Sequence, residues 1–411
     1  MSESQSGACS NGSPPILFLA GMFVSNVGRN AYFVCMTWIV LGSTNSVRSV
    51  TVLLLTGTLA QFLSSGIIGF LADATDRRRL AIGLDLARAV IVVLTGLPVA
   101  VDAGVPGLYL SVALFSVADR GYLSAMQSII PFLTGKERAV NTNSASYLMM
   151  QSGTFVGALF SGFLLHYLPY DLAISSLGIV FCLSAVITFL MRLPAFLRPV
   201  YGKCDGQWKH YISIRHWSEN NQGVAVLCYS LVFGVGTVIN ALLAAYVLKV
   251  LSGDAFLFGR LESAWALGAV LVCLVLSVGP RMRAPLPELP FCLLMSGIGL
   301  ILLWMFPNAL SAGITLLVLG GFYNLGRISM DVQIQRTVDI ASIGRAKGVI
   351  NTVATGCGLF IYTLIWLNGD RLASSSVIAI YGLVVGTVGG LALTAPRTKF
   401  KAHRPGRGDH R

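Results

Sequence analysis

Nine ionisable side chains lie inside stretches of this sequence that are otherwise apolar: Arg29, Arg88, Arg120, Arg260 and Arg327 against Asp85, Asp119, Glu262 and Asp331. Charge is expensive in an apolar medium, so each group must face protein, water or a ligand, and each is a candidate for function. Spacing sorts them. Asp85 and Arg88, three residues apart, can meet on one helical face and read as a local structural pair with the Arg77 loop. Arg327 and Asp331, four apart, can neutralise each other. Asp119 and Arg120 are adjacent, so on a helix they point about 100° apart and each needs a different partner. Arg29 has no acidic residue in its own stretch and is flanked by Asn26 and Asn30. An ion pair with Asp119 and a substrate contact are equally open to it.

Arg29 and Arg120 in one cavity would favour an anionic ligand, because a guanidinium presents a fork that matches carboxylate or phosphate. Asn26, Asp119, Asn240 and Arg327 complete the predicted cavity lining, with Gln61, Gln127, Gln151 and Tyr32 as weaker candidates. Glu262 is the best candidate for reversible protonation, with Asp331 as a second. Desolvation favours a neutral carboxyl and a nearby Arg favours the charged form, so an arriving substrate could shift its proton affinity. A hydrogen-bonded helix tie is the structural alternative for Glu262, and Arg260 cannot face it directly.

The elements that must position these groups are membrane helices. Charged residues make up 11% of the 411 residues and hydrophobic ones 55%, far from the roughly 25% charge of a soluble domain. A span needs about 20 apolar residues. Twelve candidates occur, at roughly 15–41, 49–72, 80–101, 107–130, 142–166, 172–192, 223–250, 257–279, 287–306, 310–334, 347–367 and 373–394. No Lys or Arg precedes Arg29, and the first apolar run is too long for a cleavable signal, so none is expected. With both ends placed inside, twenty-one Lys and Arg residues fall in inner segments against Arg48, Lys249 and Arg371 at outer ones. That asymmetry predicts a multi-pass plasma-membrane protein with both termini cytoplasmic.

The net charge of +12 is thereby explained by topology and does not call for nucleic acid. The basic tail at 395–411 reads as a retention and anionic-lipid segment. Eight cysteines show no metal-ligand spacing, no P-loop is present, and no cofactor or metal is expected. A faint repeat runs through the chain: Arg120 and Arg138 recur as Arg327 and Arg345, both 207 residues on. It predicts an N-terminal six-helix bundle at 1–192, a cytoplasmic linker at 193–222 and a C-terminal bundle at 223–394, with substrate bound between the bundles near the midplane.

The run Gly69-Phe70-Leu71-Ala72-Asp73-Ala74-Thr75-Asp76-Arg77-Arg78-Arg79-Leu80 is a short charged hairpin between two spans. It resembles the signature between the second and third helices of the major facilitator superfamily: Gly, three residues, Asp, basic, any, Gly, Arg, basic. Gly69, Asp73, Arg77 and Arg78 match; Ala74 replaces the basic residue and Asp76 the glycine. Asn26-Val27-Gly28 through Trp38-Ile39-Val40-Leu41, Ile130-Pro131 with Glu137-Arg138, and Gly344-Arg345 are similar to the branch containing macrolide and enterobactin exporters. The resemblance implies a proton-driven exporter working by alternating access, with Gly69, Asp73, Arg77 and Arg78 as a conformational gating loop. Antiporters of that family carry Gly-Pro in span five, where this chain has Gly157-Ala158.

The reading is therefore an all-α, twelve-helix secondary transporter, a monomer and not an enzyme, exporting a small organic molecule. An anionic metabolite such as a siderophore is favoured over a cationic drug. Multidrug efflux, import of an anionic nutrient, a lipid-modifying enzyme and a nontransporting receptor are the rivals; the enzyme would need a nucleophile or metal cluster that the sequence lacks.

Overall fold

The structure is a computed structural model that describes residues 16–96, 104–191, 222–278, 288–337 and 343–394, all of them helical or in short turns. Eleven helices are described: α1 (Ile16–Thr44), α2 (Val47–Ala74), α3 (Arg77–Gly96), α4 (Gly104–Tyr167), α5 (Tyr170–Leu190), α6 (Gln222–Lys249), α7 (Ala255–Val278), α8 (Leu289–Met305), α9 (Ala309–Thr337), α10 (Ile343–Asn368) and α11 (Ser374–Thr394).

Eleven helices make twelve passes because α4 makes two. Its 64 residues would reach about 96 Å if straight, three times the hydrocarbon thickness of about 30 Å. Contacts along α1 show the reversal. Going down α1 from Tyr32 through Arg29 to Gly21, the partners on α4 climb from Ser111 to Asp119 to Tyr122, so this pass is antiparallel to α1. Gly153 and Gly157 instead pack on Phe23 and Val27, so the later pass is parallel to it. The sequence predicts a loop between these spans, whereas the backbone stays helical through it. Gly135 is followed at once by the helix formers Lys136, Glu137, Arg138 and Ala139, which leaves little to unwind the chain. Gly157 is required where it stands: a Cβ there would lie 2.5 Å from the Val27 carbonyl oxygen, so a side chain would force α1 and α4 apart.

Eight segments among the described residues are long and apolar enough to cross a membrane unaided. The other four passes are α8, with 17 residues, and α1, α3 and the first pass of α4, which carry Arg29, Asp85 with Arg88, and Asp119 with Arg120. Large apolar side chains such as Ile179, Phe189, Leu310, Leu383 and Leu391 are exposed around the outside, where lipid takes the place of a protein partner.

Helices α1 to α5 pack on one another as one group and α6 to α11 as another; α4 against α7 and α2 against α10 form the main seams between them. This is the predicted pair of six-pass bundles. At the α2–α3 hairpin, Asp76 caps α3 by accepting the backbone N–H groups of Arg78 and Arg79 at 2.9 and 3.0 Å. Arg77 donates to the Ser128 carbonyl at 3.3 Å, and Arg78 to the carbonyls of Thr188 and Phe189. These arginines thus tie the start of α3 to α4 and α5. The surroundings of Gly69 and the side chain of Asp73 lie outside what the structure describes, as do most of the 193–222 connector and the whole 395–411 tail.

At the opposite end, the turns of the two bundles interlock. Asp370, between α10 and α11, accepts the Ser46 hydroxyl at 2.7 Å and the Val47 N–H at 2.9 Å, and lies 3.6 Å from Lys249. Lys249 donates to the Asn45 carbonyl at 2.9 Å, and Arg48 to that of Trp366 at 3.2 Å. Partial burial raises the affinity of Asp370 for a proton, but the two hydrogen bonds and Lys249 together outweigh it and hold the carboxyl below its ordinary value.

Candidate functional site

Four charges converge in the first bundle from α1, α3 and the first pass of α4. Arg88 is completely buried and bonds three partners: Asp119 Oδ1 at 2.9 Å, Ser25 Oγ at 2.8 Å and Asp85 Oδ1. Ser184 donates to the other oxygen of Asp85 at 2.8 Å. Arg29 Nε donates to Asp119 Oδ2 at 2.8 Å, so the two arginines take both oxygens of one carboxylate. The rings of Tyr122 and Phe181 flank the Arg88 guanidinium with centroids 4.2 and 4.8 Å away. Two cations against two anions make the group neutral, and burial of each charge is offset by a direct partner. Arg29 is its open end: its side chain is 37% exposed, and only Nε is engaged, which leaves the terminal amines facing a small cleft lined by Asn26, Asp119, Leu123 and Met150.

The second bundle is built differently. On α9, Gly320 packs on α7 and Asn324 on α4, while Gly326 packs on α6 and α8. Tyr323 and Arg327 lie between those faces, toward the first bundle. Tyr147 on the second pass of α4 and Tyr323 hold their ring centroids 6.0 and 5.7 Å from the Arg327 guanidinium. Arg327 makes no direct ion pair among the described residues, but Asp331, one turn further on, acts on it electrostatically and Tyr229 hydrogen-bonds it. Cation–ring contacts contribute about 0.5–2 kcal/mol each, less than the cost of taking a guanidinium out of water.

Polar bonds join the bundles beside this arginine. Tyr147 Oη donates to Asn324 Oδ1 at 2.7 Å and Gln151 Nε2 to the same oxygen at 3.2 Å, while Asn324 Nδ2 donates to the Gly320 carbonyl at 2.9 Å. Within the second bundle, Tyr229 on α6 donates to Asn351 on α10 at 3.2 Å. Glu262, half-buried on α7, has no hydrogen-bond or ion-pair partner among the described residues. It stands one turn from Gly259, which packs directly on Gly162 of α4, so it belongs to the seam between bundles.

A family model described as the Major Facilitator Superfamily matches residues 18–362 of this chain. The chain belongs to that superfamily. Among solved structures this facilitator resembles the nucleoside transporter NupG, with a TM-score of 0.69 at 12% identity over 93% of this chain and 99% of that one. It also resembles a bacterial homologue of the human lysosomal transporter Spinster in an inward-facing, occupied conformation, with a TM-score of 0.67 at 16% identity over 92% and 96%. At these identities the likeness shows the fold alone. No curated protein matches the sequence.

The structure brings some of the predicted site residues together and separates others. Arg29 and Asp119 form an ion pair. Asn26 is turned back onto its own helix, donating to the Met22 carbonyl at 2.8 Å, yet lines the Arg29 cleft. Arg120 is exposed and does not line that cleft, because it follows Asp119 directly on the helix. Asn240 is exposed with no polar contact among the described residues. One expected set of partners differs in the structure. Asp85 and Arg88 do pair, but their further partners are Asp119, Ser25 and Ser184 rather than the Arg77 loop. Arg327 and Asp331, four apart, interact electrostatically as expected, while the guanidinium also faces the rings of Tyr147 and Tyr323. Tyr147, Tyr323 and Asn324 are not among the predicted residues; their signal is weak in sequence, since tyrosine and asparagine in a span are ordinary packing residues until a partner helix is placed beside them.

Proposed function

We propose that this facilitator is a proton-coupled exporter of a small organic anion, working by alternating access in the plasma membrane with both termini cytoplasmic and the 193–222 connector joining its two bundles. The observation that carries the reading is Arg327: a cation at the seam between bundles, cupped by two aromatic rings and without a direct ion pair among the described residues, Asp331 acting on it from one turn away. A substrate anion would supply the missing charge, and Arg is the side chain that binds carboxylate or phosphate through two parallel donors. Glu262 is the group to which coupling is assigned, since a carboxylate without an ion-pair partner changes its proton occupancy when the charge around it changes during the transport cycle. A siderophore-like metabolite fits this chemistry. Efflux of a cationic drug is the second reading, favoured by the same unpaired Glu262 but opposed by Arg327 at the same seam.

Comparison of culture medium from strains with and without the protein by mass spectrometry should show an organic acid depleted without it. Everted vesicles should accumulate that acid only while their lumen is acidic. Accumulation by right-side-out vesicles alone would make the protein an importer, and a cationic cargo would overturn the assignment to anions.

A further inference from the structure

We propose that the substrate is an organic molecule carrying two anionic groups, one held by Arg29 and the other by Arg327; this rests on the anion reading given above and extends it. The second pass of α4 is a wall shared by both arginines. Met150 lines the cleft that holds Arg29, whereas Tyr147 covers Arg327 and Gln151 joins the asparagine one turn before it. Residues three apart on a helix have neighbouring side chains, so the two cationic places adjoin across a single turn of α4, one contributed by each bundle.

Each arginine is also prepared for a ligand. Asp119 accepts from Arg29 through Nε alone, which fixes the plane of the guanidinium and leaves both terminal amines for a second carboxylate or phosphate. The other negative charge of that cluster, Asp85, is fully buried behind Arg88, so the part of the group that meets the cleft is positive. Arg327 is flanked by two rings and hydrogen-bonds Tyr229; its guanidinium carries five N–H donors, so further in-plane donors are left to meet an oxyanion. Asn324 cannot take that role, because its oxygen accepts two hydrogen bonds and its amide donates to Gly320. A ligand reaching both arginines bridges the bundles, so it would hold them in a fixed relation during transport, which a singly charged ligand anchored to one bundle would not do.

Binding of straight-chain α,ω-dicarboxylates and of monocarboxylates of equal length to the purified full chain in nanodiscs, followed by calorimetry, tests this. One dicarboxylate length should bind about tenfold or more tightly than its monocarboxylate. Arg29→Gln and Arg327→Gln should each reduce that dicarboxylate to the affinity of the monocarboxylate. Arg29→Lys and Arg327→Lys, which keep the charge and so guard against misfolding, should retain part of the difference; monodispersity is checked for every variant. Equal binding of mono- and dicarboxylates, or an Arg29→Gln variant that binds like the wild type, would overturn the second subsite and leave the anion reading with Arg327. If no carboxylate binds the monodisperse wild type, the anion reading falls and this proposal with it.

Discussion

The two bundles treat buried charge in opposite ways. In the first, Arg29, Arg88, Asp85 and Asp119 are linked by direct bonds and sum to zero, with Arg88 at the hub and completely out of solvent. In the second, Arg327 and Glu262 make no direct ion pair among the described residues, and Asp331 acts on Arg327 only from one turn away. A paired network keeps helices in register whatever the transport state, and breaking it leaves an orphan charge. An unpaired group costs stability at rest and has interaction energy available for a ligand or a proton. The comparison therefore separates the charges that build the molecule from those that can work in it.

The largest effect is expected at the hub. Arg88→Met leaves Asp85 buried without its counter-ion and should cost about 3–5 kcal/mol, seen as loss of monodisperse protein and a lower melting temperature. If Arg88→Met is as stable as wild type, the first bundle is not organised around this network. Next comes Arg327→Gln, which should abolish transport while leaving folding intact, or even raise the melting temperature, because a poorly compensated cation is removed. Loss of both folding and transport would place Arg327 with the structural charges instead. Glu262→Gln should preserve exchange of substrate across the membrane but remove its dependence on an imposed pH gradient; an unchanged gradient dependence measured in proteoliposomes would transfer coupling to another group.

The smallest effect belongs to the interlocked turns. The Asp370 carboxyl is held below its ordinary value of 3.8, so the stabilisation it gives is fully present above that value and is lost as pH falls through the lower folded one. Asp370→Asn should modestly speed opening of this end at pH 7, read by crosslinking of cysteines placed at positions 46 and 370 flanks such as 45 and 371. The wild type and the variant should converge in strong acid. A difference that persists there would remove Asp370 as the controlling group.

Much of this was legible in the chain itself. The spans follow from apolar runs, the hairpin from Asp76 followed by three arginines, and the Arg29–Asp119 pair stood as one of two equal alternatives, a substrate contact being the other. The missed features share a cause. That Arg88 would reach Asp119, that Arg327 would meet the Tyr147 ring, and that Asp370 would bridge to Ser46 all depend on helices distant in sequence.

Sequence alone determined that this polypeptide lives in lipid, how often it crosses, and which side chains are too costly to be idle, because hydropathy and charge act residue by residue. Only the tertiary structure decided which of those charges neutralise one another, because a guanidinium chooses among carboxylates and aromatic rings by distances that packing between helices sets.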